Sequence, residues 1–317
     1  MPAATNRKPL TALLSRILPV TLAAVTMLAY AASKPARTTQ QPVSLYVTVE
    51  KDGGLVSGLT ERNFRLYEDG EHRAFELATP EAPSLVALLV EHSRGSWIYW
   101  NDIQSAMLGF MHEFPEGPWY ALATFDNTLK VHVDFTKRHG RILQSFQDLG
   151  QPFRDDVNTY DAVVEMLDKM DRLPGRRILI LIGSGIDTFS AHTLDEVQQR
   201  AEEVNAVIFG VAAGSALRGQ YEPYMGSSTR LTLLQAEAFH RMLAETTGGE
   251  SWAPRFESAF RDVMKGIVQT LAHQYRLVYS PRPARTPELR KIEVQAFQVT
   301  DDRREDFKVR VRKRLRQ

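Results

Sequence analysis

The chain has 317 residues, 43% of them hydrophobic and 24% charged, which is enough for one large domain and a smaller one, each with its own core. A formal net charge of +1 gives no overall attraction to nucleic acid or another polyanion. Zero cysteines exclude disulfide frameworks, thiolate metal sites and a lipid-modified amino-terminal cysteine.

Arg7, Lys8 and Arg16 precede an apolar run from Ile17 to Ala32 that contains the small-residue triplet Ala29-Tyr30-Ala31. This layout predicts a secretory signal over residues 1–31, cleaved after Ala31, because about sixteen apolar residues fall short of the roughly 20 that span a bilayer. The signal carries three positive charges and no negative ones, so its loss takes the formal charge from +1 to −2. The mature chain is expected to be secreted or periplasmic, without a membrane span. Residues 32–41 read as a polar linker.

Residues 43–50 alternate apolar and polar side chains and run into Asp52-Gly53-Gly54, a strand and a turn. With Asn63 to Glu68, the turn Asp69-Gly70 and Phe75 to Leu77, they predict a small β module over 42–80. At Ser84 the pattern changes. Leu85 to Val90 is a continuous apolar run, as a strand buried on both faces requires. Ile103, Met107, Phe110, Met111 and Phe114 predict a helix over 99–114, and Asp126-Asn127 lies in a hairpin between Tyr120–Phe125 and Leu129–Phe135. Two more helices precede Ile178 to Ile182, a second central strand. Another precedes Val207 to Val211. Residues 212–230 form a long loop before helices at 231–246 and 255–272. From Gln274 the period returns to two, giving three antiparallel strands over 273–317. The predicted architecture is α/β: a doubly wound, mostly parallel sheet flanked by helices over 84–272, plus a small antiparallel β-sandwich that 273–317 forms with 42–80.

The order strand, helix, hairpin, helix, strand, helix, strand, with Leu88-Leu89-Val90-Glu91-His92-Ser93 near its start, resembles the von Willebrand factor type A fold. It is more similar still to the VWFA-related proteins of acidobacterial type. Val56 to Gly70, Phe135-Thr136, Gln274 to Tyr279 and Arg290-Lys291-Ile292 carry that match, which runs from about residue 42 onward. The resemblance implies a divalent cation at the top of the sheet, held by Asp-x-Ser-x-Ser after the first strand, a Thr in a later loop and an Asp after the fourth strand. Here the first motif is Glu91-His92-Ser93-Arg94-Gly95, with Ser96 as a substitute if the loop is one residue longer. Val157 stands where the Thr belongs, with Thr159 two positions late. Ser184 stands at the Asp position, and Asp187 follows it. A site that loses a carboxylate and a hydroxyl suits Mg²⁺ poorly. No metal or other cofactor is therefore expected; Mg²⁺ or Mn²⁺ in an altered shell of Glu91, Ser93, Thr159 and Asp187 is the alternative.

Other chemistry has less support. Glu91-His92-Ser93 and Gly183-Ser184-Gly185 hint at an envelope hydrolase, but Gly-x-Ser-x-Gly requires glycine at positions held by Ile182 and Ile186. The eight histidines are scattered and read as surface or satisfied residues, and no phosphate-binding glycine motif occurs. Lys308, Arg310 and Arg312 alternate with Phe307, Val309 and Val311, as on the solvated face of a strand. The aromatic residues Trp97, Tyr99, Trp100, Tyr221 and Tyr224 fall in loops at the carboxyl ends of parallel strands, where open α/β sheets bind ligands. The expectation is a non-enzymatic, exported adhesion module that binds a protein or an envelope polymer there.

Overall fold

In a computed structural model, residues 41–79, 84–213, 215, 218, 221–256, 258–284, 286 and 288–316 are described. The expected signal, 1–31, lies outside them, as does the linker except for its last residue. The strands and helices in chain order are β1 (Val43–Lys51), β2 (Gly54–Leu55), β3 (Phe64–Glu68), β4 (Glu71–Arg73), β5 (Phe75–Ala78), β6 (Ser84–Glu91), α1 (Trp100–Glu113), β7 (Trp119–Phe125), β8 (Leu129–Thr136), α2 (His139–Gln147), α3 (Thr159–Asp171), β9 (Arg176–Gly183), α4 (Leu194–Glu203), β10 (Ala206–Ala212), α5 (Ser227–Thr247), β11 (Ser251–Trp252), α6 (Ala259–His273), β12 (Tyr275–Tyr279), β13 (Leu289–Thr300), β14 (Arg303–Arg310) and β15 (Arg314–Arg316).

The continuous apolar strands are split by parity between two cores. In the sheet β11-β10-β9-β6-β7-β8, all neighbours are parallel except β8, which turns back antiparallel on β7. Val86, Leu88, Val90, Ile178, Ile180 and Ile182 pack with Ile103, Met107 and Phe110 of α1 and with Phe260, Met264 and Ile267 of α6. Ala87, Leu89, Leu179 and Leu181 face α3, α4 and α5 through Val163, Leu167, Val197, Phe239 and Leu243. Each such side chain contributes about 1.5–3 kcal/mol by leaving water, which explains why no polar residue interrupts these runs.

The last two long helices differ from their expected bounds. α5 starts at Ser227 rather than 231, because Gly226 in an extended conformation and the following Ser-Ser-Thr open its first turn. α6 starts at Ala259 and ends at His273. Among the described residues no helix is long and apolar enough to cross a membrane.

Strands from both ends of the described chain alternate in the second sheet, β4-β3-β13-β14-β1-β12-β5, with β2 on β1 and β15 on β13. The expected sandwich is one hydrogen-bonded sheet that curls over. β3 and β12 are four places apart along it, yet the Phe64 and Tyr275 ring centroids are 5.1 Å apart and the Tyr279 hydroxyl donates to Glu68 at 3.5 Å. Leu45, Val47 and Val49 of β1 fill this curl. Its alternate residues are buried too, against the α/β sheet. Arg176 stacks over the Tyr46 ring at 4.6 Å and donates to Gln274, which donates to the Thr48 hydroxyl at 3.1 Å.

Arg312 corrects the expected solvated basic face. Its guanidinium is buried and makes five donations, to the carbonyls of Ala201, Glu202, Val204 and Arg314 and to Asn205 Oδ1, at 2.7–3.3 Å. Four of these acceptors lie at the carboxyl end of α4, where the helix dipole favours a cation. Arg310 is likewise engaged, with Glu50 and Glu250 at 2.7 Å each. Gly248 lets the chain pass: its φ is +80°, and a Cβ there would lie 2.6 Å from the backbone nitrogen of Arg312.

Candidate functional site

Glu91 ends β6 at the carboxyl edge of the parallel sheet, flanked by β7 and β9. Its carboxylate is buried and accepts four hydrogen bonds. Oε1 receives the Ser93 hydroxyl at 2.7 Å and the Tyr99 hydroxyl at 3.1 Å; Oε2 receives the Ser184 N–H at 2.6 Å and the Ser184 hydroxyl at 2.7 Å. Gly183 makes room for it, since a Cβ there would stand 2.9 Å from Oε2. Burial and the Glu91 charge push the Tyr99 phenol well above its ordinary range, so Tyr99 stays a donor. Ser96 braces the loop, its N–H donating to Ser93 Oγ at 3.1 Å and its hydroxyl to the Ser93 carbonyl at 2.7 Å.

The remaining positions of the expected cation site form a separate group. Val157 is buried and presents only its backbone, which exchanges hydrogen bonds with Thr188. The Thr159 hydroxyl donates to the Ile186 carbonyl. Asp187 accepts the Tyr160 N–H at 3.0 Å and the Ser190 hydroxyl at 2.6 Å, which spends its charge on the first turn of α3. Glu91 and Ser93 therefore meet Ser184 and Tyr99, not Thr159 and Asp187. Among the described residues no group of three or more His, Asp or Glu is arranged to hold a metal ion.

His92 turns away from both serines. Its Nε2 donates to the Gly150 carbonyl at 2.9 Å and its ring lies 5.0 Å from Trp100, and burial lowers its pKa. Nearby Asp126 accepts from Lys130 at 2.9 Å and from the Thr128 N–H and hydroxyl; although burial raises its pKa, these donors bring it below the usual carboxylate range.

Two of the five expected surface aromatics are corrected. Tyr99, 6% exposed, points inward to Glu91, and Trp100, 7% exposed, stacks on Phe146 with ring centroids 5.4 Å apart. Trp97, Tyr221 and Tyr224 do reach solvent, at 45%, 46% and 88% exposure.

Sequence reasoning also missed His240, on α5. It is buried beside the site, with Nε2 3.2 Å from the Gly183 carbonyl, so Nε2 carries the proton and Nδ1 is left without a partner. Gly185 and Gly210 make the space: a Cβ on either would come within 3 Å of the imidazole, and Gly185 also holds φ at +79°. Burial drives the His240 pKa down to about 4 from 6.5. The unfolded chain therefore binds the proton first, and stability is lost as pH falls from about 6.5 to about 4, by roughly 3 kcal/mol. Urea unfolding across that window should show this loss, and His240→Gln should reduce it, leaving the smaller part that the other burial-lowered histidines, His92 and His132, contribute.

No protein-family model matches the sequence, and no curated protein matches it. Solved structures with some similarity include an aerotolerance-related membrane protein of Bacteroides fragilis NCTC 9343, at 8% identity over 59% of this chain and 98% of that one, with a TM-score of 0.42. The conserved hypothetical protein BatB of Bacteroides thetaiotaomicron is 14% identical over 60% of this chain and 99% of its own, with a TM-score of 0.40. A von Willebrand factor type A protein from Catenulispora acidiphila is 8% identical over 87% and 74%, with a TM-score of 0.44. On its own strand order, with a single antiparallel edge strand beside five parallel ones, the α/β lobe is von Willebrand factor A-like.

Proposed function

We propose that this chain is an exported, non-enzymatic binding module that engages a protein or an envelope polymer through the loops at the carboxyl ends of its sheet, without a resident cation. The Glu91 network carries this reading. Its carboxylate is saturated by the protons of Ser93, Tyr99 and Ser184, so the hydroxyls that would ligate a cation act as donors to a side chain. Val157 adds no oxygen and Asp187 is committed to α3, a donor set that does not fit the oxygen octahedron Mg²⁺ demands. The same protons leave neither serine paired with a histidine, which disfavours nucleophilic chemistry. Export is inferred from the layout of residues 1–31. Exposed Trp97, Tyr221 and Tyr224 are residue types that anchor interfaces.

Calorimetry with Mg²⁺ and Mn²⁺ is expected to give no one-site isotherm, and Trp97→Ala and Tyr224→Ala are expected to reduce capture of partners from an envelope extract. A stoichiometric cation isotherm overturns the first half of the reading; undiminished capture overturns the second.

A further inference from the structure

Two cavities open side by side, on either side of residues 149–151. One, of about 600 Å³, is bounded by β8, α2 and the segment after α2; the other, of about 470 Å³, lies against Trp97 and α1. Residues 149–151 line both, and His92 fixes this shared wall through its bond to the Gly150 carbonyl. Each volume suits a small-ligand site, and two of them on either side of one wall suit an extended ligand.

The larger cavity has an excess of one positive charge. Lys130, Arg141 and Arg154 face it against Asp126 and Asp148. Asp126 is already consumed by Thr128 and Lys130, with Arg154 4.0 Å away. Arg141 has no ion pair among the described residues, so a planar fork that matches a carboxylate lines the cavity unused. His92 and His132 have pKa values lowered by burial and add hydrogen-bonding capacity there rather than charge at neutral pH.

The smaller cavity has different chemistry. Trp97 stacks on Trp100 at 6.2 Å with 16° between the rings, and the amides of Asn101, Gln104 and Gln151 surround it. An aromatic face carries negative potential that suits the weakly positive C–H face of a pyranose, and a primary amide offers a donor and an acceptor to neighbouring hydroxyls.

We propose that this double cleft binds an acidic oligosaccharide, one pyranose on Trp97 and a carboxylate of a neighbouring sugar on Arg141 and Arg154. The proposal rests on the reading of the loop face as the binding surface and names its ligand class. An acidic peptide such as triglutamate would satisfy the cations, and its backbone the amides, but it brings no ring face to the indole.

The test is calorimetry on the full chain with trigalacturonate and a hyaluronan tetrasaccharide, with maltotriose and triglutamate as neutral and peptidic comparators. At least one acidic saccharide is expected to bind, more weakly as salt rises, and about ten-fold more weakly in Arg141→Gln/Arg154→Gln and in Trp97→Ala. Maltotriose should lose a comparable factor. Both arginines are exposed, so unchanged thermal melts will separate lost binding from lost folding. The proposal is overturned if neither acidic saccharide gives heat, if binding survives both sets of substitutions, or if triglutamate binds as well as the saccharides. Should the saccharides fail while Trp97→Ala and Tyr224→Ala still reduce capture from envelope extract, the loop-face reading stands and this inference alone falls. Should those substitutions also change nothing, both fall.

Discussion

Arg312→Ala is expected to lower the free energy of unfolding by about 3–5 kcal/mol, a large share of the roughly 5–15 kcal/mol that holds a typical domain. The substitution removes a cation that receives no direct carboxylate and is held instead by five oxygens, four of them at the end of α4. Those carbonyls lie against the β sheet, away from solvent, and an unsatisfied buried acceptor costs about 1–3 kcal/mol. Arg312→Lys should recover only part of the loss, because one ammonium cannot reproduce the planar fork. Arg304→Ala is the control. Arg304 pairs with Asp306 in the open, and exposed pairs of this kind contribute about 1 kcal/mol or less. Equal urea midpoints for Arg312→Ala and Arg304→Ala would show that the buried guanidinium is not a clamp between the antiparallel sheet and the end of α4.

Glu91→Ala is expected to cost about 3–4 kcal/mol, since it strands the hydroxyls of Ser93, Tyr99 and Ser184 and the Ser184 N–H in a closed space. Glu91→Gln should cost less, about 2 kcal/mol, because its carbonyl still accepts while its amide hydrogens oppose the Ser184 donors. A second readout separates the charge from the shape. With the neighbouring charge gone, the Tyr99 phenol should ionise at lower pH in Glu91→Gln, though still above its ordinary range because burial is the larger cause. Ultraviolet difference absorbance follows that ionisation. A phenol that titrates identically in both proteins would show that the Glu91 side chain does not act on Tyr99.

The α/β sheet was legible because its information is local. Leu85 to Val90 and Ile178 to Ile182 cannot be solvated on either face, and the helices between them space their apolar residues for one face each. The Glu91 network was half legible. Glu91, Ser93 and Ser184 stand out against the motif the resemblance supplies, but Tyr99 belongs to the same network and reads, beside Trp97 and Trp100, as part of an aromatic surface. Its eight-residue separation from Glu91 carries no periodic signal, because a short 3-10 turn intervenes. Arg312 failed for a related reason. The alternation that puts Lys308 at the surface ends before it, and an isolated bridge to Thr247 turns the chain so that position 312 faces inward. His240 has no motif at all. Only the pair Gly185 and Gly210, one on each of two neighbouring chain segments, hints that something large must fit between them, and that is visible only in three dimensions.

The interleaving of β1 with strands more than two hundred residues later sets the order in which the molecule is completed. Apart from the short β2 at its carboxyl end, Val43–Lys51 finds its neighbours in Tyr275–Tyr279 and Arg303–Arg310, so until those residues are made most of its two edges has unpaired amides beside a row of Leu and Val side chains. An edge of that kind is a template for pairing with other chains, and contacts so distant in sequence form slowly. Pairing along both edges of β1 therefore cannot be complete before Arg310 has been added to the chain.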